Sequence, residues 1–227
     1  MKWRGVSETA PEPLKASLRE ELDERRTLMR RFVPRATQAI NDRATEEFRL
    51  SGLAQKSLKV GARAPEFTLQ DARGNTIRSA ELLSQGSLIV TFIRGRWCPF
   101  CCATMEAWQG MLPRVKEAGI NIVAITPMSP QQSDFMRDQH KLALPILSDP
   151  GNKVAEKFGV AYRVPQYQQD LFSTVFINLP HINGDDSWTL PLPATFGIDR
   201  DGVIQYAFAD EDYTLRAEPT DVLLSLR

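Results

Sequence analysis

The chain has 227 residues, 42% hydrophobic and 25% charged, and its 28 basic and 28 acidic side chains leave a formal net charge of zero. That composition suits a soluble globular protein, and its charge balance gives no electrostatic ground for partnership with nucleic acid or an anionic membrane. No apolar run reaches the length of a membrane span, and Met1 to Glu8 lacks the apolar centre of a secretory leader.

Residues 1–57 read as a helical extension. Leu14, Leu18, Leu22, Met29 and Phe32 mark one face of a charged helix that Pro34 ends. A second helical pattern follows through Ala36, Ile40, Ala44 and Phe48 to Ser51-Gly52. Neither helix carries a chemical motif. The extension either packs on the rest of the chain or acts as a dimerisation arm, which would make the protein a homodimer.

Residues 58–227 read as an α/β domain. Gly61 to Leu69 is an extended entry, Asp71 to Asn75 a turn, and Ser79 the expected cap of a short helix through Leu83. Ser87 to Arg94 is an apolar, β-branched run of strand length. Ala103 to Lys116 follows with Met105, Trp108, Met111 and Leu112 at helical intervals. Between them lies Gly95-Arg96-Trp97-Cys98-Pro99-Phe100-Cys101-Cys102, so a C-x-x-C falls where a strand meets a helix. A helix start carries unpaired N–H groups and partial positive charge, which favour a thiolate, and the thiolate is the nucleophilic form of cysteine. Pro99 suits the first helical turn, where its missing N–H goes unused.

A C-x-x-C can also be half of a zinc site, which needs four ligands. Only Cys102, His140 and His181 could complete one, and their spacings match no zinc pattern. Neither a metal nor a cofactor is expected. Three clustered cysteines are not a secreted disulfide framework, and the predicted home is a reducing cytoplasm.

After Gly119, Ile120–Ile125 reads as a buried strand, Ser129-Pro130 as a helix start and Leu144–Leu147 as a short strand. Asp149-Pro150-Gly151 turns into a helix ending at Phe158. Strands alternating with helices predict parallel βαβ units. Residues 160–192 read as an insertion or long loop. Its run Asp185-Asp186-Ser187-Trp188 either tunes or recognises something at the thiols or is a turn around a packed Trp. Ala194 to Phe208 is a hairpin with a D-G turn, and Pro219 to Leu226 a final helix. Tyr213 and Arg216 reach the cysteines only if the last loop folds back.

Three segments, in this order, carry a family resemblance: Val60-Gly-Ala-Arg-Ala-Pro-Glu-Phe-Thr-Leu69, Arg94-Gly-Arg-Trp-Cys-Pro-Phe-Cys101 and Pro193-Ala-Thr-Phe-Gly-Ile-Asp-Arg-Asp-Gly202. Residues 58–227 resemble the peroxiredoxin-like AhpC/TSA (redoxin) family of the thioredoxin superfamily. The resemblance implies a thioredoxin-like fold, a central mixed sheet flanked by helices. It also implies thiol-based reduction of hydrogen peroxide or organic hydroperoxides, recycled by thioredoxin, glutaredoxin or glutathione.

The site departs from the peroxiredoxin pattern P-x-x-x-[T/S]-x-x-C. Arg94 stands at the Pro position, Cys98 at the Thr position and Cys101 at the peroxidatic cysteine, while the later Arg position falls on Pro193. Trp97, Cys98, Cys101 and Pro193 instead match the thioredoxin W-C-x-x-C and its late cis-proline, so the resemblance implies a cis bond before Pro193. Arg94 and Arg96 are candidates to supply the missing guanidinium. Thioredoxin logic makes Cys98 the attacking thiol and peroxiredoxin alignment makes it Cys101; the other resolves. Cys102 is read as packing or as a backup resolving thiol. A dithiol–disulfide oxidoreductase and a non-catalytic interaction module are the rival readings.

Overall fold

The computed structural model describes residues 17–226. Leu14 and the rest of the first sixteen residues lie outside that range. Two helices open the described chain: α1 (Leu18–Phe32) and α2 (Arg35–Leu50). Ser17 caps α1 by accepting from the Glu20 N–H, and Pro34 separates the two helices. Leu18 and Leu22 of α1 are buried in the same apolar cluster as the cysteine helix, and α2 packs on a helix of the later segment.

The first strands are β1 (Thr68–Asp71) and β2 (Thr76–Arg78), followed by the short helix α3 (Ser79–Gln85). Ser79 does not cap α3. Its hydroxyl accepts from the Phe67 N–H at 2.9 Å, because Ser79 is the first helical residue and faces the strand before it. Two βαβ units come next: β3 (Leu88–Phe92), α4 (Pro99–Glu117), β4 (Asn121–Thr126), α5 (Pro130–Gln139) and β5 (Ile146–Ser148). The strands β3, β4 and β5 pair in parallel, as strand–helix alternation requires.

Beyond the short α6 (Lys153–Lys157), the stretch expected as an insertion or long loop has its own secondary structure. It holds β6 (Ala161–Arg163), α7 (Gln166–Thr174), α8 (Leu179–Asn183) and β7 (Thr189–Pro191), with β6 and β7 paired antiparallel. A small apolar cluster of Val164, Phe172, Leu179 and Leu190 holds it together. The hairpin β8 (Ala194–Ile198) and β9 (Ile204–Ala209) and the helix α9 (Pro219–Ser225) complete the chain.

The main sheet runs β2-β1-β5-β4-β3-β8-β9. One of its inner strands, β3, lies between β4 and β8 and is buried on both faces, which is why that strand reads as an almost unbroken apolar run. Along β3 the side chains alternate between two cores: Ile89 meets α1, α4 and α9, while Leu88, Val90 and Phe92 meet Phe158 and Phe196 on the other side. The chain leaving β3 and entering α4 is therefore anchored by the most buried strand of the protein.

Candidate active site

Three residues after β3 ends, the chain turns at Gly95, and α4 starts at Pro99. The Cys98 N–H donates to the Gly95 carbonyl at 3.2 Å. Gly95 has φ +149, and a Cβ there would lie 2.7 Å from Trp97 Nε1, so only glycine lets the Trp97 ring lie against the turn. Cys98 is the N-cap of α4, Pro99 fills the first helical position and Cys101 sits two residues further in. The carbonyl of Cys98 accepts from the N–H groups of Cys101 and Cys102. All three cysteines are free thiols and buried, Cys101 completely.

Cys101 is the most polarised of the three. Its Sγ accepts from the backbone N–H of Arg94 at 3.4 Å and from Nη2 of Arg216 at 3.4 Å. Burial pushes its pKa up. A hydrogen bond from Cys98, the Arg216 and Arg94 charges and the Arg94 N–H more than offset that and hold Cys101 well below the usual thiol range. The same hydrogen bond, then burial and the neighbouring negative sulfur, push Cys98 well above it. These influences favour charge on Cys101 and the proton on Cys98.

Cys102 is different. Its Sγ donates to the Arg96 carbonyl at 3.3 Å, and burial, reinforced by the Cys101 and Glu106 charges, pushes its pKa to about 12.

Arg94 is buried at the end of β3 with its guanidinium carbon 4.7 Å from the Trp97 ring centroid and 4.8 Å from that of Tyr213. Such a stack stabilises a desolvated cation while leaving its N–H edge free. Nε of Arg94, Nε of Arg216 and Nε1 of Trp97 are buried without a hydrogen-bond partner among the described residues. Two of these donors belong to the arginines that face Cys101, and unused donors of that kind can receive oxygen lone pairs.

Arg96, the other arginine candidate, turns away. Its Nε donates to Gln132 at 2.6 Å and its guanidinium lies over Phe135, both on α5. Trp97 packs on Phe172 of α7, with ring centroids 5.3 Å apart. Pro99 is exposed and serves the helix start alone. Pro193 is buried just before β8, but there is no cis peptide bond among the described residues, which corrects the cis bond implied by the resemblance. Leu192, whose N–H donates to the Val160 carbonyl, and Pro193, at a bend, join β7 to β8. A trans bond is the default for X–Pro.

Asp185 and Trp188 serve a turn. Asp185 accepts from Ser187 N–H and Gly151 N–H, and Trp188 packs on the small cluster around Phe172. The last loop does fold back. It brings Arg216 to Cys101 and Tyr213 to Arg94, with Tyr213 edge-on to Phe100 at 5.7 Å. Tyr162 also senses the site: burial, opposed by the Arg94 charge, raises its pKa. Sequence pattern carried no signal for Tyr162, which sits in an ordinary strand triplet.

A mixed sheet with helices on both faces and a C-x-x-C at the start of the helix after its inner strand β3 define a thioredoxin-like protein. The chain belongs to the AhpC/TSA family, whose model matches residues 60–207. It is 26% identical over 151 residues to the chloroplastic peroxiredoxin Q of Oryza sativa subsp. japonica, a match covering 66% of this chain and 59% of that protein. A peroxiredoxin Q of Sedum lineare is also 26% identical over 151 residues, with 66% and 69% covered. The chain thus matches less than two thirds of the rice protein's length. Among solved structures, the peroxidoxin BcpB of Mycobacterium tuberculosis superposes with a TM-score of 0.59 at 21% identity, covering 75% of this chain and 97% of that one. A peroxiredoxin-like protein from Aquifex aeolicus gives 0.57 at 17% identity, covering 75% and 86%.

Proposed function

We propose that this protein is a thiol-dependent peroxidase in which Cys101 attacks and Cys98 resolves. The observation that carries the reading is the position of the Cys101 sulfur, 3.4 Å from both the Arg94 N–H and Arg216 Nη2. A thiolate held there can displace on the O–O bond of a hydroperoxide. The S–O bond forms, the O–O bond breaks, and the departing alkoxide takes a proton to become the alcohol, leaving Cys101 as a sulfenic acid. Cys98 is the nearest proton source. The Cys98 thiolate then attacks the sulfenic sulfur, the disulfide forms, and hydroxide leaves and is protonated to water. The net change converts a dithiol and a hydroperoxide into a disulfide, an alcohol and water. The free donors of Arg94, Arg216 and Trp97 supply hydrogen bonds to the oxygens while charge moves onto them.

An external thiol reductant, of thioredoxin, glutaredoxin or glutathione type, resets the disulfide by exchange. Such chemistry fits a cytoplasmic setting. Residues 58–227 are taken as the catalytic domain and residues 1–57 as its extension; a homodimer through that extension remains part of the proposal.

The test is to add sub-stoichiometric hydrogen peroxide, and separately an organic hydroperoxide, to the reduced protein. Sulfenic acid is trapped with dimedone and located by mass spectrometry. Cys101 is the expected site, and thiol loss no faster than that of free cysteine overturns the reading.

The second reading is a dithiol–disulfide oxidoreductase, favoured by the Trp97-Cys98-Pro99-Phe100-Cys101 run. It requires reduction of insulin or a glutathione mixed disulfide at a rate exceeding peroxide turnover, lost in Cys98→Ser.

A further inference from the structure

The segment that brings Arg216 and Tyr213 to the thiols is held from outside the α/β domain. Helix α1 grips it at three points. Arg26 Nη1 donates to the Thr214 carbonyl at 3.2 Å and lies 3.5 Å from its hydroxyl. The Tyr213 hydroxyl donates to Met29 Sδ at 3.4 Å. At the helix start, the N–H groups of Leu18 and Arg19 donate to the Glu218 carboxylate at 3.4 and 3.1 Å. Arg26 is itself fixed by an ion pair with Asp23, one turn back on the same helix.

A pocket of about 390 Å³ opens between this segment, α1 and α2, with Arg26, Met29, Asp42, Tyr213 and Thr214 in its lining. Beside that opening the segment meets α1 through individual bonds rather than a continuous packed face, so its place over the thiols depends on directional contacts. Those are the bonds from α1 and the turn's own bonds. Within the turn, Thr214 bonds Asp212 through both its N–H and its hydroxyl, and the Arg216 guanidinium folds back on the carbonyls of Tyr213 and Leu215.

We propose that α1 is a working part of the thiol site and that Arg26 is its positioning residue. By holding the Thr214 carbonyl, Arg26 fixes the turn that sets Arg216 against Cys101 and the Tyr213 ring under Arg94. The extension then sets the reactivity of a sulfur it does not touch. This inference rests on Cys101 being the reactive thiol and extends that reading to residues the family match at 60–207 does not include.

The experiment is the pH dependence of Cys101 alkylation by iodoacetamide in the full chain, resolved by mass spectrometry. Arg26→Ala is expected to move the midpoint upward by about one pH unit, so that Cys101 alkylates about tenfold more slowly below it. Arg26→Lys, which keeps a cationic donor, is expected to recover at least half of that shift. Arg43→Ala, which breaks the α2 ion pair with Glu47 away from the turn, serves as control and leaves the midpoint in place. An unmoved midpoint in Arg26→Ala overturns the proposal, as does an equal shift in Arg43→Ala. Should Arg26→Ala fail to fold, Glu218→Ala, which removes the acceptor for the Leu18 and Arg19 N–H groups at the start of α1, replaces it. It is expected to shift the midpoint in the same direction, and an unmoved midpoint there overturns the proposal. Alkylation needs no peroxide, so a shifted midpoint in a protein inert to hydroperoxides removes the peroxidase reading and leaves this one standing.

Discussion

Arg216 Nη2 lies 3.4 Å from the Cys101 sulfur across 115 residues of sequence. A guanidinium at that distance favours the thiolate over the thiol and cannot give up its own proton. Replacing it by a neutral residue of similar length, Arg216→Gln, is expected to raise the Cys101 pKa and so move the acid limb of its alkylation and peroxide rate profiles upward by about one pH unit or more. In the unaltered protein Cys101 lies well below the ordinary thiol range, so its rate should be flat around neutrality and fall only in acid. A rate that climbs through pH 8–9 like that of a free thiol contradicts the assignment.

Cys98 keeps its proton, donates a hydrogen bond to Cys101 and is the other sulfur of the pair. Cys98→Ser keeps a donor and removes the resolving thiol. One equivalent of peroxide should then leave a trappable sulfenic acid on Cys101 and no internal disulfide, while Cys101→Ser should abolish fast reaction. A Cys101–Cys102 disulfide in Cys98→Ser would instead reveal Cys102 as a backup.

Oxidation removes the negative sulfur that faces the buried Arg94 and the half-buried Arg216. Arg94 and Arg216 are then left without that counter-charge, which is costly in a dry environment. Hydrogen exchange of residues 210–217 is expected to speed up on forming the Cys98–Cys101 disulfide and to slow again on reduction. The same imbalance makes the disulfide easier to reduce. In Arg216→Gln its potential should fall by about 30 mV for each tenfold loss of thiolate stabilisation. Unchanged exchange between the two redox states would count against a charge-held turn.

Cys102 is expected to contribute to the loss of stability in alkali. Burial raises its pKa from 9.0 to about 12, so the folded state prefers the thiol. For a raised pKa the stabilisation is complete below the unfolded value and is lost as pH rises through the folded one, here between about pH 9 and about pH 12. Denaturant unfolding of the reduced protein should show a drop in stability across the lower part of that range. Cys102→Ala should flatten part of it, with Tyr213, raised to about 12 from 10.0 by burial, retaining a share. An identical pH slope in both proteins would show that Cys102 does not titrate in this way.

Much of the site was legible in the chain. The apolar run ending at Phe92, Pro99 at a first helical turn and the spacing of Met105, Trp108 and Leu112 report local physics, and local physics placed the cysteines at a helix start. The parallel order of β3, β4 and β5 followed from the strand–helix alternation. Residues 160–192 were read as a loop because their strands are three residues long and pair only with each other, which leaves almost no periodicity to detect. Ser79 was assigned to the wrong partner because a hydroxyl beside a helix start can equally bond the strand before it.

From the amino-acid order alone came a redox-capable thiol pair, the sheet that presents it and a helical extension without chemistry of its own. Those properties are set by neighbours within a few residues, where periodicity, proline and caps act. Which sulfur faces the arginine, which arginine reaches it and what α1 packs against were decided only in three dimensions. Electrostatic influence falls with distance in space and is indifferent to separation along the chain, so Arg96, five residues from Cys101, bonds to α5 while Arg216 reaches the sulfur.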